Sequence, residues 1–252
     1  MQVAILITTF LRDSLMYRIT ASIVQNMPDN CILLIADQGY HTTEKDLHYE
    51  YLKAQGAIIN YLPFDVGLSA ARNFLINQAN ELGIQYCLMS ADSIEFLMKY
   101  DFNPIIQFLE QEETRGLVGF ELEKSKCKWE FNLNLTPEGI HFIPSDVYIT
   151  EDNIKYMQCE IVRNIFLAKT KSILNIYDEE MKLFEHELMF LDYKKRGYKV
   201  FWTDHLIFKR TQSNTSVEYQ QYRSRIGEYQ NLLKQKLNIS NWVIYDKAKK
   251  SN

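Results

Sequence analysis

Four short apolar runs in the first 90 residues, at 3–8, 31–37, 57–62 and 86–90, alternate with three stretches of helical spacing. No other feature of the sequence restricts the fold as much. Runs this short and continuous suit strands buried on both faces of a parallel sheet, which do not show the polar–apolar alternation of half-exposed strands. In the third intervening stretch Leu68, Ala71, Leu75 and Ala79 recur at three and four residues, and Gly83 stops the helix. The βαβα order predicts an α/β fold built on an open, mainly parallel sheet with right-handed crossovers and flanking helices.

After residue 115 the pattern changes. "GLVGFELEKSKCKWEFNLNLTPEGIHFI" alternates and carries a TPEG turn at 136–139, which predicts a hairpin. A strand-like "IVRNIFLAKT", a helical "EHELMFLDYKKRG" and another strand-like "YKVFWTDHLIFKR" follow. Near the C-terminus, Tyr222, Ile226, Tyr229, Leu233 and Leu237 fall on one stripe of a predicted amphipathic helix. That stripe suits docking on the same domain or contact with a second copy of the chain. The expected organisation is a main domain over 1–212 and a helical extension over 213–252.

A net charge of −4 gives no electrostatic reason to expect nucleic acid as a partner. The four cysteines, Cys31, Cys87, Cys127 and Cys159, form no CxxC pair, and two lie in apolar runs, so reduced thiols are expected. No run approaches ~18 apolar residues, and the first strand begins at once, so neither a transmembrane segment nor a signal peptide is expected. A cytoplasmic location follows as an expectation.

In an open parallel sheet, ligands bind beyond the carboxyl ends of the strands. There the sequence places Thr8, Thr9 and Arg12, then Asp37 and Gln38, then Asp65, Gly67, Ser69, Arg72 and Asn73, then Ser90, Asp92 and Ser93. Such a set can form a nucleotide site, with Thr8 and Asp37 bonding a base edge and Arg72 reaching a phosphate. Neither GxGxxG nor GxxxxGK[ST] occurs, which argues against a dinucleotide or P-loop enzyme.

"ILITTFLRD", "LLIADQG", "DVGLSAARNFLINQA", "CLMSADSIEF", "GLVGFELE" and "LFEHELMFLDYKKRGYKV" stand in the order and spacing of a family 2-like GT-A glycosyltransferase. Over residues 1–210 the chain resembles that family, and its later pieces look like the β-1,4-N-acetylgalactosaminyltransferase branch. The resemblance implies inverting transfer of a hexose or N-acetylhexosamine from a nucleotide-diphosphate donor, most simply UDP-linked, to a hydroxyl of a glycan. It implies that Thr8, Phe10 and Arg12 cup the nucleoside, Asp37 reads the base and Arg72 approaches the uridine or diphosphate. It also implies that Asn73 and Gly119 border the donor sugar.

Asp92 takes the middle place of the family's acidic metal motif, where this chain reads Ala91, Asp92, Ser93. A divalent cation, Mn²⁺ or Mg²⁺, would then be held by Asp92 with at most His205 to help, and serine is a poor ligand for a hard ion. Lys209, Arg210 or Arg72 could supply the positive charge instead. The general base falls among Glu185, His186 and Glu187, and Trp129, Phe131 and Phe142 can stack on an acceptor sugar or fill the core. Two readings compete with transfer: a non-catalytic sugar- or nucleotide-binding relic, and a sugar-phosphate nucleotidyltransferase. The second lacks the glycine-rich loop that such enzymes carry after the first strand.

Overall fold

The computed structural model describes residues 2–123, 129–211 and 216–245. Strands β1 (Val3–Thr9), β2 (Cys31–Asp37), β3 (Ile58–Tyr61) and β4 (Tyr86–Met89) alternate with helices α1 (Asp13–Gln25), α2 (Thr43–Ala54) and α3 (Leu68–Glu81). A short β5 (Ile94–Glu95), α4 (Asn103–Glu110) and β6 (Arg115–Leu122) follow. A hairpin of β7 (Phe131–Thr136) and β8 (Gly139–Pro144) closes on the expected TPEG turn. Then come β9 (Tyr148–Glu151), β10 (Ile154–Cys159), β11 (Phe166–Lys169), α5 (Glu185–Lys195) and β12 (Lys199–Arg210). The chain continues through α6 (Val217–Arg223), α7 (Ile226–Leu237) and β13 (Val243–Tyr245).

The large sheet runs β3-β2-β1-β4-β11-β6-β12-β10-β9, with β5 paired to β12. The first four strands are parallel, so β1 and β2 end side by side at Thr9 and Asp37. β11, β10 and β9 pair antiparallel with their neighbours, which makes the sheet mixed. Period-two alternation sorts β1 between two cores: Val3, Ile5 and Ile7 face one, Ala4 and Leu6 the other. On the second face small residues of the sheet, Ala4 and Ala36, meet Ala71 and Ala79 of α3, so the helix lies close. β12 breaks register with β6 between Thr203 and Ile207, and its last two residues then pair with β5, which carries Arg210 next to Ile94.

The predicted C-terminal stripe is divided between two helices. The chain turns at Ser224–Arg225, and Tyr229 and Leu233 of α7 pack on Met181. Tyr222 of α6 turns instead toward Phe10 and Phe64. β13 adds in parallel to β8. The stripe's two most buried residues are therefore spent within the chain. Cys31, Cys87 and Cys159 are buried free thiols, and burial pushes the Cys31 and Cys87 thiols up to about 12; Cys127 lies outside the described residues.

Candidate functional site

Two cavities open at the carboxyl edge of the parallel strands and share Leu68, Arg72, Ala91, Leu183, Arg210 and Arg223. The first, about 240 Å³, is lined by Thr8, Thr9, Phe10 and Arg12 after β1 and by Asp92 after β4. Gly67, just ahead of α3, and Arg72 within it border the cavity, and Tyr219, Tyr222 and Arg223 of α6, Arg225 at the turn and Tyr229 of α7 cover it. The second, about 540 Å³, is more apolar: Trp129, Phe184, Trp242, Ile94, Leu122 and Ile165 surround Glu185, His186 and Glu187.

Thr8, Phe10, Arg12, Arg72, Asp92 and Arg210 thus come together as the sequence predicts. Phe10 sits edge-on to Phe64 and Tyr222, with ring centroids 5.3 and 5.0 Å away, and Tyr40 stacks on Phe64 at 4.6 Å. Three non-glycine residues at the cavity margins hold left-handed backbone: Leu11 (φ 52°), Asp65 (φ 50°) and Phe184 (φ 60°). For a phenylalanine this costs of the order of 1–3 kcal/mol. Phe184 heads α5 and packs edge-on against Trp242 at 4.4 Å, a contact that holds the strained turn in place.

Five predicted residues lie elsewhere. Asp37, expected to read the base, is only 1 % exposed and its carboxylate is fully engaged. Tyr49 Oη donates to Oδ2 at 2.6 Å, Lys45 Nζ lies 2.9 Å from the same oxygen, and the Gly39 amide donates to Oδ1 at 2.8 Å. A carboxylate so occupied has little left for a base edge, and it lines neither cavity. Asn73 turns to the 177–179 loop, donating to the Tyr177 carbonyl and Glu179 and accepting from the Tyr177 amide. Gly119 lies mid-sheet, where a Cβ would come within 2.6 Å of Val162, so its small size serves close packing there. His205 is exposed on β12 outside both cavities. Lys209 pairs with Glu95 at 3.1 Å, also outside them. Of the three candidate acceptor rings, Trp129 borders the second cavity, whereas Phe142 is buried and Phe131 packs on it.

A divalent cation fits this donor set poorly. Arg12 Nη1 donates to Asp92 Oδ1 at 2.7 Å and Thr9 Oγ1 to Oδ2 at 3.3 Å. Burial pushes the Asp92 carboxyl up to about 6 against the opposing pull of Arg12, and a protonated or arginine-bound acid is a weak ligand for a hard ion. Among the described residues no group of three or more His, Cys, Asp or Glu gathers as a metal site would require.

The first turn of α5 presents three chemically distinct groups. Arg72 Nη1 donates to Glu185 Oε1 at 2.7 Å, an ion pair with both partners almost wholly buried. His186 Nδ1 donates to Asn164 Oδ1 at 2.7 Å. Burial, helped by Arg72, pushes its imidazole down to about 3, so the ring stays neutral and is a weak base. Burial pushes Glu187 the other way, up to about 7, with Glu185 adding to the rise. A helix N-terminus by itself favours the ionised carboxylate, but removal from water is the larger effect here. Of the three, Glu187 alone combines an acid strength near neutrality with no side-chain partner among the described residues.

Sequence reasoning passed over Lys182, Arg223, Arg225 and Trp242 and read Tyr222 only as part of a packing stripe, yet all five line a cavity. The signal was available at 219–225, where tyrosines and arginines are interleaved around the start of the predicted stripe. No helix among the described residues is long and apolar enough to cross a membrane.

No protein-family description matches the sequence, and no curated protein matches it by sequence either. Solved structures do match in shape. Residues 1–349 of S. aureus TarS superpose with a TM-score of 0.60 at 11% identity, over 84% of this chain and 60% of that one. The same fragment in complex with UDP-GlcNAc gives 0.62 at 10%, over 86% and 60%. The mannosyltransferase PcManGT from Pyrobaculum calidifontis, in complex with GDP-Man and Mn²⁺, gives 0.56 at 10%, over 90% and 61%. The likeness establishes the fold: a mixed α/β sheet of the GT-A type, spanning about 60% of the length of the TarS fragment.

Proposed function

We propose that the chain is an inverting glycosyltransferase that moves a hexose or N-acetylhexosamine from a nucleoside diphosphate to a hydroxyl of a saccharide. One observation carries this reading: a cationic cavity at the strand ends shares a wall of six residues with an aromatic cavity that holds a carboxyl whose pKa burial raises to about 7. The solved structures of the same fold that bind UDP-GlcNAc or GDP-Man support it.

In this reading the nucleotide occupies the first cavity, with its base beside Phe10 and Tyr222. The acceptor lies in the second, its apolar faces against Trp129 and Trp242, because pyranose C–H faces suit aromatic rings. The acceptor oxygen attacks the anomeric carbon from the face opposite the diphosphate and loses its proton to the Glu187 carboxylate. The bond from the anomeric carbon to the diphosphate oxygen breaks, and the electron pair leaves with the diphosphate. Glu185, held by Arg72, keeps that arginine at the junction of the two cavities.

The test is a panel of UDP, GDP and their sugar conjugates, read first by thermal shift and then by nucleoside diphosphate release with mono- and oligosaccharide acceptors. One nucleotide should raise the Tm, and its sugar conjugate should turn over in wild type but not in Glu187→Gln. A panel in which no nucleotide shifts the Tm and no donor turns over contradicts the reading.

A further inference from the structure

Among the described residues six cationic side chains line the first cavity, and four of them are already neutralised. Arg12 pairs with Asp92 at 2.7 Å, Arg72 with Glu185 at 2.7 Å and Lys182 with Asp65 at 2.8 Å. Arg225 pairs with Glu228 at 3.0 Å and lies 3.6 Å from Asp65. Arg210 and Arg223 have no ion pair among the described residues, and both border both cavities. Two uncompensated cations therefore stand where the donor cavity meets the acceptor cavity.

The two arginines reach this point by separate routes. Arg210 is delivered by the register shift in β12 and the pairing of its last residues with β5. Arg223 ends α6, a helix that buries none of its own residues. α6 is held over the cavity by its contacts with the strand-end loops: Tyr40 Oη donates to Glu218 Oε1 at 2.7 Å, Tyr222 packs against Phe10 and Phe64, and the Arg12 guanidinium lies 5.5 Å from the Tyr219 ring centroid. The charge of Arg223 is felt at Asp92, where it favours the ionised carboxylate.

We propose that Arg210 and Arg223 together bind the diphosphate of the donor and neutralise its charge as it leaves, in the role a divalent cation would otherwise fill. The proposal rests on the nucleotide-sugar reading above. It makes the C-terminal extension, which lies outside the sequence resemblance, part of the donor site. Two guanidinium groups suit the task because each can grip phosphate oxygens with paired N–H donors and stays charged at any working pH. The poor fit of the Asp92 cluster to a hard ion is then a consistent feature of the site, because no ion has to be held there.

The test is calorimetric titration of the full chain with UDP and GDP, and with uridine and guanosine, in EDTA and then in Mn²⁺. The tighter diphosphate should bind in EDTA, and Mn²⁺ should change its affinity by less than about threefold. Arg210→Gln and Arg223→Gln should each weaken that diphosphate roughly tenfold to a hundredfold and leave its nucleoside almost unchanged, since a charge-assisted phosphate contact is what each removes. Both side chains are exposed, so an unaltered Tm shows that the variants fold. Diphosphate binding by wild type only in Mn²⁺, or unimpaired binding by both variants, overturns the proposal while leaving nucleotide binding itself intact. Wild type that binds neither diphosphate in either buffer overturns the nucleotide-sugar reading as well.

Discussion

The two cavities face each other across Arg72, Arg210 and Arg223 and are built from opposite materials. The smaller one comes from the ends of regular parallel strands and is rich in guanidinium and hydroxyl groups. The larger one comes mostly from the less regular second half and is walled by tryptophans and aliphatic side chains. The difference matches what each half of a sugar transfer needs. A departing diphosphate needs fixed positive charge, which the strand-end loops and α6 can aim. An acceptor sugar needs flat apolar surface and one base, and a carboxyl becomes a usable base near neutrality when its surroundings are dry. The apolar wall that would stack the sugar is also what raises Glu187.

Breaking the acceptor side should have the largest effect. Glu187→Gln should lower the transfer rate by about 10²–10⁴-fold, the usual contribution of a general base, with nucleotide affinity preserved. In wild type the rate should climb with pH through about 7, because the ionised carboxylate is the active form and burial has moved its titration there. A loss below tenfold, or a flat profile between pH 6 and 8, would return the choice to Glu185 and His186. The same substitution has a stability consequence. The folded-state pKa of Glu187 is raised, making it a weaker acid, so the neutral carboxyl stabilises the fold at low pH and that contribution is lost as pH rises through about 7. Glu187→Gln should therefore match wild type near pH 4 and exceed it by roughly 3 kcal/mol or less near pH 8.5, read by chemical denaturation.

On the donor side, Asp37 separates scaffold from site. Asp37→Ala strands the wholly buried Lys45 with Asp13, 2.9 Å away, as its remaining carboxylate partner. It should cost roughly 3 kcal/mol of unfolding free energy. A loss under about 0.5 kcal/mol, typical of an exposed position, together with weakened nucleotide binding would restore Asp37 as a reader of the base. Smaller still, Trp129→Ala and Trp242→Ala should each raise the acceptor KM roughly tenfold and leave nucleotide affinity unchanged, since each removes one stacking surface. Equal losses on both substrates would erase the division between the cavities. Smallest of all, Lys209→Met should leave diphosphate affinity within about twofold of wild type, because Lys209 is spent on Glu95.

Much of the donor half could be read from the sequence. β1, β2 and β4 are buried on both faces, so their composition alone declares them, whereas β3 is a half-exposed edge strand; parallel connection sends all their ends to one edge. Thr8, Arg12, Arg72 and Asp92 followed from that rule, and Phe10 from the family resemblance. The fate of Asp37 did not, because Lys45 and Tyr49 reach it from α2 only after the helix packs on the sheet. Asn73 sits one residue from Arg72, yet it points 100° further around the helix and binds a loop more than a hundred residues away. The C-terminal stripe kept a helical period straight through the turn at Ser224–Arg225, so periodicity could not show that Tyr222 leaves the stripe and, with Arg223 beside it, lines the first cavity. Nor could it decide among Glu185, His186 and Glu187. What separates them is a partner: Arg72 for the first, Asn164 for the second, and burial with no side-chain partner among the described residues for the third.

The most direct test of this division is a crystal structure of the full chain soaked with UDP or GDP. The account predicts the diphosphate within about 3 Å of the Arg210 and Arg223 guanidinium groups, the base beside Phe10 and Tyr222, and the cavity around Glu187 left open for an acceptor. A nucleotide seated instead between Trp129 and Trp242, or bound with both arginines turned away from its phosphates, would contradict it.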